Sequence, residues 1–164
     1  MTTAGGPFRG VKVLDLSVMI SGPLAGMILA DQGADVIKVE SPGIGDFMRY
    51  LGSSKNGMTG IFLNNNRGKR SLVVDLKRPE GVDVLKKLVA TSDVVIQNFR
   101  PGAVERLGIG YDDLRAVNPD LIYVSISGYG PDGPASGHRV YDNVIQAASD
   151  RKSTRLNSSH VSES

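Results

Sequence analysis

The segment with the richest chemistry reads Asn-Phe-Arg-Pro-Gly and occupies positions 98–102. It directly follows an apolar run at 93–97, so it is expected at the carboxyl end of a buried strand, where open α/β sheets bind ligands. The Asn98 amide both donates and accepts hydrogen bonds, Phe99 offers a ring for stacking, and Arg100 offers a fork for phosphate. The same residues also fit an ordinary turn between a strand and a helix. The residue types alone leave both interpretations open.

A second candidate is a set of five basic residues on both sides of the run at 71–76. Its members are Arg67, Lys69, Arg70, Lys77 and Arg78. Such a cluster could hold a phosphorylated ligand through its positive charge, but a solvated surface has the same composition. The three asparagines at 64–66, just before the cluster, favour a turn.

Positions 128–133 read Gly-Tyr-Gly-Pro-Asp-Gly and match the GxGxxG pattern of dinucleotide-binding loops. That pattern requires a helix to begin at once, so that its first N–H groups meet the pyrophosphate. Pro131 and Pro134 prevent such a start, and the next helix is predicted to begin near Tyr141. The segment is therefore interpreted as a glycine-rich loop and not as a nucleotide site.

Polar side chains crowd positions 138–143, which read His-Arg-Val-Tyr-Asp-Asn. No serine nucleophile is paired with His138, so a hydrolase triad has no support. Tyr141 and Asp142 at a helix start also fit ordinary capping. The chain has no cysteine and only 2 histidines, so a metal site is not expected.

The composition fits a single domain with a core. The 164 residues are 40% hydrophobic, and their net charge of +2 gives no general attraction to nucleic acid. The apolar stretch at 13–30 contains Asp15 and is broken by Gly22-Pro23, so a strand, a turn and a helix are predicted there and not a membrane span. The lack of cysteine suits the cytoplasm, which is the expected location.

Strands and helices alternate along the chain. This alternation predicts an α/β fold with a Rossmann-like open, mostly parallel sheet and helices on both faces. Strands are predicted at 11–16, 35–40, 71–76, 93–97 and 121–126, and helices at 23–30, 79–90, 103–107, 112–117 and from about 141. Gly33 is the expected stop of the first helix. Positions 41–68 are predicted to form a long loop that is functional or ordered by a partner.

The end of the chain, 150–164, has no apolar period and is rich in Ser, Arg and Asn. It is compatible with a disordered polar tail. Positions 150–160 also resemble the conceptual translation of a sequencing-library adapter, and this interpretation is preferred. Residues 1–149 are then the natural part, and the natural chain is expected to continue beyond them.

Several segments, in this order, resemble the family III CoA-transferases, which include formyl-CoA transferase, carnitine CoA-transferase and the 2-methylacyl-CoA racemases. The segments are VKVLDLSVMISGPLAGMILADQGADVIKVESPGIGD, LNNNRGKRSLVVDLKRPEG, DVVIQNFRPGAVERLGIGYDDL, NPDLIYVSISGYGPDGP and VYDNVIQA. The resemblance covers nearly all of residues 7–149. It implies that residues 1–149 are an incomplete, N-terminal Rossmann-like CoA-binding domain, from a fold in which two chains interlock as a homodimer.

The resemblance also implies a reaction, in which coenzyme A passes from an acyl-CoA to a free carboxylic acid through an aspartyl anhydride. Coenzyme A is then a substrate, and neither a metal nor NAD takes part. The residues implied to contact it are Met19, Val74, Lys77, Asn98, Phe99, Arg100, Arg106 and Arg139. Tyr141 and Asp142 are implied to line the active site. The family's catalytic aspartate is expected beyond the end of this chain, so the chain by itself is expected to be inactive.

Three other functions stay open. A racemase or epimerase of the same family would need a base where Tyr141 stands, and His138 is out of register with that position. An NAD-dependent oxidoreductase is suggested by the sheet and by the GxGxxG pattern, although a fold alone does not license a function. A CoA-binding module without chemistry would differ from a transferase only if the complete gene lacked the aspartate.

Overall fold

The computed structural model describes residues 5–138 and 140–149. Arg139 and the predicted tail at 150–164 lie outside the described residues. The chain divides between Ile126 and Ser127 into two compact units, each with its own internal contacts.

The first unit contains all of the predicted strands and four of the predicted helices. Its strands are β1 (Lys12–Asp15), β2 (Asp35–Glu40), β3 (Ser54–Lys55), β4 (Met58–Thr59), β5 (Arg70–Val73), β6 (Val94–Gln97) and β7 (Ile122–Ser125). Its helices are α1 (Ser21–Asp31), α2 (Gly60–Asn66), α3 (Pro79–Val89), α4 (Ala103–Arg106) and α5 (Tyr111–Arg115), with a 3₁₀ helix at Phe47–Arg49. Because the predicted elements start and end within about three residues of these bounds, their order along the chain is confirmed.

Five strands form one sheet in the order β5-β2-β1-β6-β7, and every neighbouring pair is parallel. In this register Leu14 of β1 lies between Ile37 of β2 and Val95 of β6. The chain builds outward from β1 in one direction with β2 and β5, and then in the other direction with β6 and β7. The predicted open parallel α/β sheet is therefore confirmed.

Helices cover both faces of the sheet. Successive side chains of each strand point to opposite sides, so both sets of side chains pack against helices. On one face, Val13 of β1 packs in a cluster with Ala30 of α1. On the other face, Leu14 packs in a larger cluster with Leu85 of α3 and Leu114 of α5. Burial on both faces explains why the strands read as apolar runs and not as alternating patterns.

The segment at 41–68 is more structured than the sequence predicted. It holds the 3₁₀ helix, which Asp46 caps, then the antiparallel hairpin of β3 and β4, and then α2, which Thr59 caps. Phe62 of α2 is buried, so packing outweighs the weak helix propensity of the asparagines at 64–66. The predicted turn at these asparagines was wrong, since they form the last turn of α2.

Two helix predictions are confirmed in detail. Helix α1 ends just before Gly33, whose φ of 101° is a conformation that glycine adopts without the clash of a Cβ. In α3, Leu85 and Val89 are buried, and Val82 and Leu88 pack against the same core, as the apolar spacing predicted.

The second unit is described for residues 127–138 and 140–149 and contains α6 (Asp142–Ala148). Its glycine-rich segment at 128–133 is irregular, and Tyr129 contacts His138 edge to face, with ring centroids 6.0 Å apart. Helix α6 begins only at Asp142. The segment is therefore a glycine-rich loop without the immediate helix start that a dinucleotide fingerprint requires, as predicted.

Candidate functional site

The direction in which the sheet is built reverses between β1 and β6. The region outside the carboxyl ends of these two strands is named here the crevice. Residues 17–19, which follow β1, are named here the switch-point turn, and the predicted ligand segment 98–102 follows β6. Open α/β sheets bind ligands at such a reversal, because the two loops run away from each other there. The structure thus brings the first sequence candidate to the expected ligand edge.

The side chain of Asn98 is bound to the switch-point turn. Its Oδ1 accepts a hydrogen bond from the Val18 N–H at 2.8 Å, and its Nδ2 donates to the Val18 carbonyl at 2.7 Å. This pair joins positions 80 residues apart in sequence. Asn98 therefore holds the turn in place, and a direct contact between its amide and a ligand stays a prediction.

Met19, the last residue of the turn, has a left-handed backbone with φ 72°. This conformation costs about 1–2 kcal/mol for a residue with a Cβ, so the surroundings must impose it. The Met19 N–H donates to Asp46 Oδ1 at 3.1 Å. Backbone strain of this kind concentrates at functional sites. The structure thus places the predicted contact residue Met19 in the crevice, in a conformation that a buried carboxylate supports.

Two lysines and two aspartates form a buried charge cluster against the turn. Lys38 Nζ lies 3.0 Å from Asp46 Oδ2 and 3.9 Å from Asp15 Oδ2, and it also donates to the Ser17 carbonyl. Lys69 Nζ lies 2.7 Å from Asp15 Oδ2. All four charged side chains are at most 2% exposed. Burial of so many charges is tolerable only because each lies within 2.7–3.9 Å of a charge of opposite sign.

Lys69 is a structural member of this cluster. Besides Asp15, its Nζ donates to the Pro23 carbonyl and to Asn66 Oδ1, each at 2.8 Å, so all three donors of the ammonium are used. Burial lowers the pKa of Lys69, and the carboxylate of Asp15 opposes this shift without cancelling it. Lys69 therefore has no donor left for a ligand.

The predicted basic cluster does not form one surface. Lys69 is buried, and Arg67 and Arg70 form exposed ion pairs with aspartates of α1 and β2. Lys77 and Arg78 follow the opposite end of β5 and are exposed. Strand β5 separates residues that are close in sequence, because Arg67 and Lys69 precede it and Lys77 and Arg78 follow it. Binding of a phosphorylated ligand by any of these residues stays a prediction.

Glu40, the last residue of β2, connects the cluster to Arg49. Its Oε1 accepts from the Asp46 N–H at 2.9 Å and from Arg49 Nε at 2.8 Å, and its Oε2 accepts from Arg49 Nη2 at 2.6 Å. Burial raises the pKa of Glu40, but the hydrogen bonds from Arg49 and Asp46 and the charges of Arg49 and Lys38 lower it more. The pKa of Glu40 therefore lies below its ordinary value of 4.5.

This lowered pKa predicts acid sensitivity. Because the folded pKa lies below the unfolded one, the stabilisation by Glu40 is complete above about pH 4.5 and is lost as pH falls through the folded pKa. Glu40→Gln is expected to lower the free energy of unfolding at pH 7 by about 1–2 kcal/mol. It should also flatten the decline of that free energy below pH 4.5, as measured by urea titrations at a series of pH values. Glu80→Gln, at an exposed glutamate, is the control, and an unchanged pH slope in Glu40→Gln would contradict the assignment.

The other predicted contact residues of the first unit lie in two groups. Phe99 is half-buried against the core and Arg100 is exposed beside it, with Arg106 exposed on α4. Val74 and Lys77 follow β5, which β2 and β1 separate from β6. With about 4.8 Å between neighbouring strands, the two groups are about 14 Å apart. An extended ligand could reach both, whereas a compact one could not.

A shallow depression marks the second group. It has a volume of about 360 Å³ and is lined by Asp75, Arg78, Glu80 and Gly81, which precede and begin α3. Its volume is near the lower end of the range for small-molecule sites, about 300–1,000 Å³. The depression adjoins Val74 and Lys77 in sequence, but neither of them lines it.

The remaining predicted site residues belong to the second unit or lie outside the description. Tyr141 immediately precedes α6 and is 73% exposed, and Asp142 is the first residue of that helix. Arg139 lies outside the described residues. The predicted roles of these three residues stay predictions.

Sequence reasoning missed the buried charge cluster. A signal for it was present, because Lys38 and Glu40 are charged residues inside a strand that both faces of the sheet bury. Charged side chains are almost never fully buried without partners. Their presence in an apolar strand thus indicates buried partners, but the sequence gives no means of finding Asp46 and Asp15 as those partners.

Among residues 5–138 and 140–149, no group of three or more His, Cys, Asp or Glu side chains could hold a metal ion. No helix in the described part of the chain has the length and apolar character needed to cross a membrane.

Comparison with known proteins gives consistent matches. Residues 8–153 match the family described as CoA-transferase family III. The chain is 44% identical over 150 residues to the succinate–glutarate CoA-transferase of Agrobacterium fabrum, covering 87% of this chain and 38% of that protein. It is 45% identical over 144 residues to the succinyl-CoA:glutarate CoA-transferase of Homo sapiens, covering 87% and 33%.

A solved structure agrees with the sequence relatives. The crystal structure of a CAIB/BAIF family protein from Brucella suis matches with a TM-score of 0.83 and 43% identity, over 87% of this chain and 39% of that one. The chain thus spans 33–39% of the length of these three relatives. On the family match over residues 8–153, this chain belongs to CoA-transferase family III.

Proposed function

We propose that this chain supplies the CoA-binding part of an enzyme that transfers coenzyme A from an acyl-CoA to a free carboxylic acid. The observation that carries the proposal is the family match over residues 8–153, because its relatives include CoA-transferases named for succinate and glutarate. The crevice between β1 and β6 adds support, since it is the ligand edge of this class of sheet. Coenzyme A is a substrate in this proposal, and neither NAD nor a metal takes part.

The proposed binding mode uses the two groups at the carboxyl edge. The segment 98–100 and Met19 receive one part of coenzyme A at the β1–β6 crevice, with Arg106 at its side. Val74 and Lys77 receive another part beyond β5, and Arg139 meets the phosphates. Coenzyme A is an extended molecule, which fits the separation of about 14 Å between the two groups.

The first N–H groups of α1 support this mode. Helix α1 begins at Ser21, directly after the crevice, and has no side-chain cap. The first N–H groups of a helix have no partners inside it and carry partial positive charge. They therefore favour a negatively charged group of the ligand at this end of the helix.

The proposed chemistry runs through a carboxylate. An aspartate attacks the acyl-CoA carbonyl, the carbon–sulfur bond breaks, and the coenzyme A thiolate leaves with the electron pair of that bond, so that an acyl-aspartyl anhydride remains. The thiolate then attacks the aspartyl carbonyl of the anhydride, which releases the first acid and leaves an aspartyl-CoA thioester. The incoming acid repeats these steps in reverse order. A thiolate is a good leaving group, which makes a carboxylate an adequate nucleophile.

We further propose that this aspartate is not among the residues of this chain, and that Tyr141 and Asp142 line the site around it. The purified chain is then expected to bind coenzyme A in calorimetry. It is expected to transfer no coenzyme A from succinyl-CoA to glutarate. Coenzyme A transfer catalysed by residues 1–149 alone would contradict the absence of the nucleophile. A chain that binds no coenzyme A would contradict the binding proposal.

The structure offers a matched pair of asparagines for testing the crevice. Asn98→Ala frees the switch-point turn and is expected to weaken coenzyme A binding about tenfold, the equivalent of about 1.4 kcal/mol. Asn118 is also a structural residue, since its Nδ2 donates to the carbonyls of Val89 and Ser92. Asn118→Ala is expected to reduce thermal stability but to leave coenzyme A affinity unchanged. Affinity is measured by calorimetry below the unfolding transition. Equal losses of affinity in the two variants would show that the crevice is not part of the binding site.

We also propose that the full-length form is a cytoplasmic homodimer. Large apolar side chains are exposed along the segment that ends with α2, and a monomer seldom leaves so many uncovered. These side chains are Ile44, Phe47, Tyr50, Leu51, Met58, Ile61 and Leu63. The chain alone is therefore expected to aggregate, which sedimentation velocity at increasing concentration would detect.

A further inference from the structure

The buried charge cluster requires an explanation other than stability. Lys38 and Asp46 are among the most buried residues of the first unit, yet a buried ion pair is often no more stabilising than well-packed apolar side chains of similar size. Neither residue has been predicted to contact a ligand. A different role must account for two fully buried charges next to the crevice.

The hydrogen bonds of Asp46 indicate that role. Its Oδ1 accepts from the N–H of Met19 at 3.1 Å and from the N–H of Met48 at 3.0 Å, while its Oδ2 faces Lys38 Nζ at 3.0 Å. The same Lys38 Nζ donates to the Ser17 carbonyl, which begins the switch-point turn. One ion pair thus holds both ends of a three-residue turn.

The middle of the turn is held from another strand. Asn98, after β6, binds both the N–H and the carbonyl of Val18. The left-handed conformation of Met19 is therefore fixed from β2 and its following loop on one side and from β6 on the other. Of the two non-glycine residues with positive φ among the described residues, Met19 is the one in the crevice, whereas Asn56 lies in the hairpin between β3 and β4.

We propose that Lys38 and Asp46 are positioning residues, which hold the switch-point turn in the conformation that receives coenzyme A. The two side chains act through the backbone of Ser17 and Met19 and do not touch the ligand. This inference rests on the proposed function, because it names the residues that shape the same crevice. The turn is then a preorganised part of the binding site. Folding already holds it in the strained conformation, so ligand binding does not have to supply that free energy.

The test compares two destabilised variants of the whole chain. Asp46→Asn keeps the size of the side chain but removes the charge that pairs with Lys38. Leu114→Ala leaves a cavity in the core under α5 and is the control for a loss of stability alone, because the Leu114 side chain makes no hydrogen bond or ion pair with the turn. Both are measured at a temperature at which each is folded by circular dichroism.

Two readouts separate positioning from stability. Calorimetry with free coenzyme A is expected to show at least a tenfold weaker affinity for Asp46→Asn and an unchanged affinity for Leu114→Ala. Amide hydrogen exchange is expected to be at least tenfold faster at Met19 in Asp46→Asn than in Leu114→Ala. A Met19 exchange rate equal in the two variants, or an affinity that Asp46→Asn leaves unchanged, would overturn the inference.

The outcome also distinguishes this inference from the proposed function. If the unaltered chain binds no coenzyme A, the proposed function is wrong, and the turn does not receive coenzyme A. The exchange rates still decide in that case whether Asp46 holds the turn. If the unaltered chain binds coenzyme A and only the comparison of variants fails, the proposed function stands and the positioning role is wrong.

Discussion

Replacing Lys38 with methionine is expected to lower the free energy of unfolding by about 3–5 kcal/mol, the usual result of removing one partner of a buried ion pair. Methionine fills a similar volume, so the loss comes from charge and not from a cavity. Asp46 would keep two backbone donors but lose its cationic partner, and Asp15 would keep Lys69 as its cationic partner and Ser17 as a donor. Urea unfolding followed by circular dichroism at pH 7 measures the effect.

Lys87→Met is the matched control, because Lys87 is an exposed lysine on α3. It is expected to change the free energy of unfolding by no more than about 0.5 kcal/mol. The double variant Lys38→Met with Asp46→Asn should be less destabilised than the sum of the two single changes, because the second change removes the charge that the first leaves unpaired. Strict additivity would show that the two side chains do not interact.

Replacing Gly81 with alanine is expected to lower the free energy of unfolding by about 2–3 kcal/mol, near the upper range for overpacking. A Cβ at this position would lie 2.0 Å from the backbone carbonyl oxygen of Asp75, and a backbone atom cannot rotate away as a side chain can. Helix α3 must therefore shift. Alanine improves helix propensity by about 1 kcal/mol, which offsets only part of the loss.

Gly60→Ala provides the comparison for Gly81→Ala. Gly60 is the first residue of α2, and a Cβ there would meet no atom within 4 Å. The control is expected to be neutral or slightly stabilising, as measured by thermal and urea unfolding of the same preparations. If both glycine variants unfold alike, α3 does not approach Asp75 as closely as described. Because Asp75 lies between Val74 and Lys77, Gly81→Ala should also weaken coenzyme A binding if these residues contact the ligand.

The parts of the fold that short-range patterns specify were predictable from the sequence. Strand β2 occupies the predicted range 35–40, because six residues rich in Val and Ile follow a helix stop at Gly33. Helix α3 was predictable for a similar reason, since Pro79 begins it and its apolar residues recur at helical spacing. In both elements the local preference and the burial in the fold agree, so the sequence pattern is sufficient.

Helix α2 was not predictable because local preference and burial disagree there. Three asparagines favour a turn, but the Thr59 cap and the burial of Phe62 stabilise a helix. In the candidate site, too, only the features set by neighbouring residues were predictable. The segment 98–102 was predictable from its place after a strand, whereas the bond between Asn98 and Val18 spans 80 residues, and no spacing in the sequence indicates it.

The central position of β1 has a consequence for the synthesis of the chain. One edge of β1 can pair with β2 soon after β2 is synthesised, but the other edge has no partner until β6 is synthesised. The backbone hydrogen bond between Lys12 and Asp93 spans 81 residues. At about 5–20 residues per second, a ribosome needs about 4–16 s to supply the missing partner. During that interval the nascent chain presents an unpaired apolar strand edge, which is the kind of surface that recruits other strands. Every residue inserted between β2 and β6, including the hairpin and α2, prolongs that exposure.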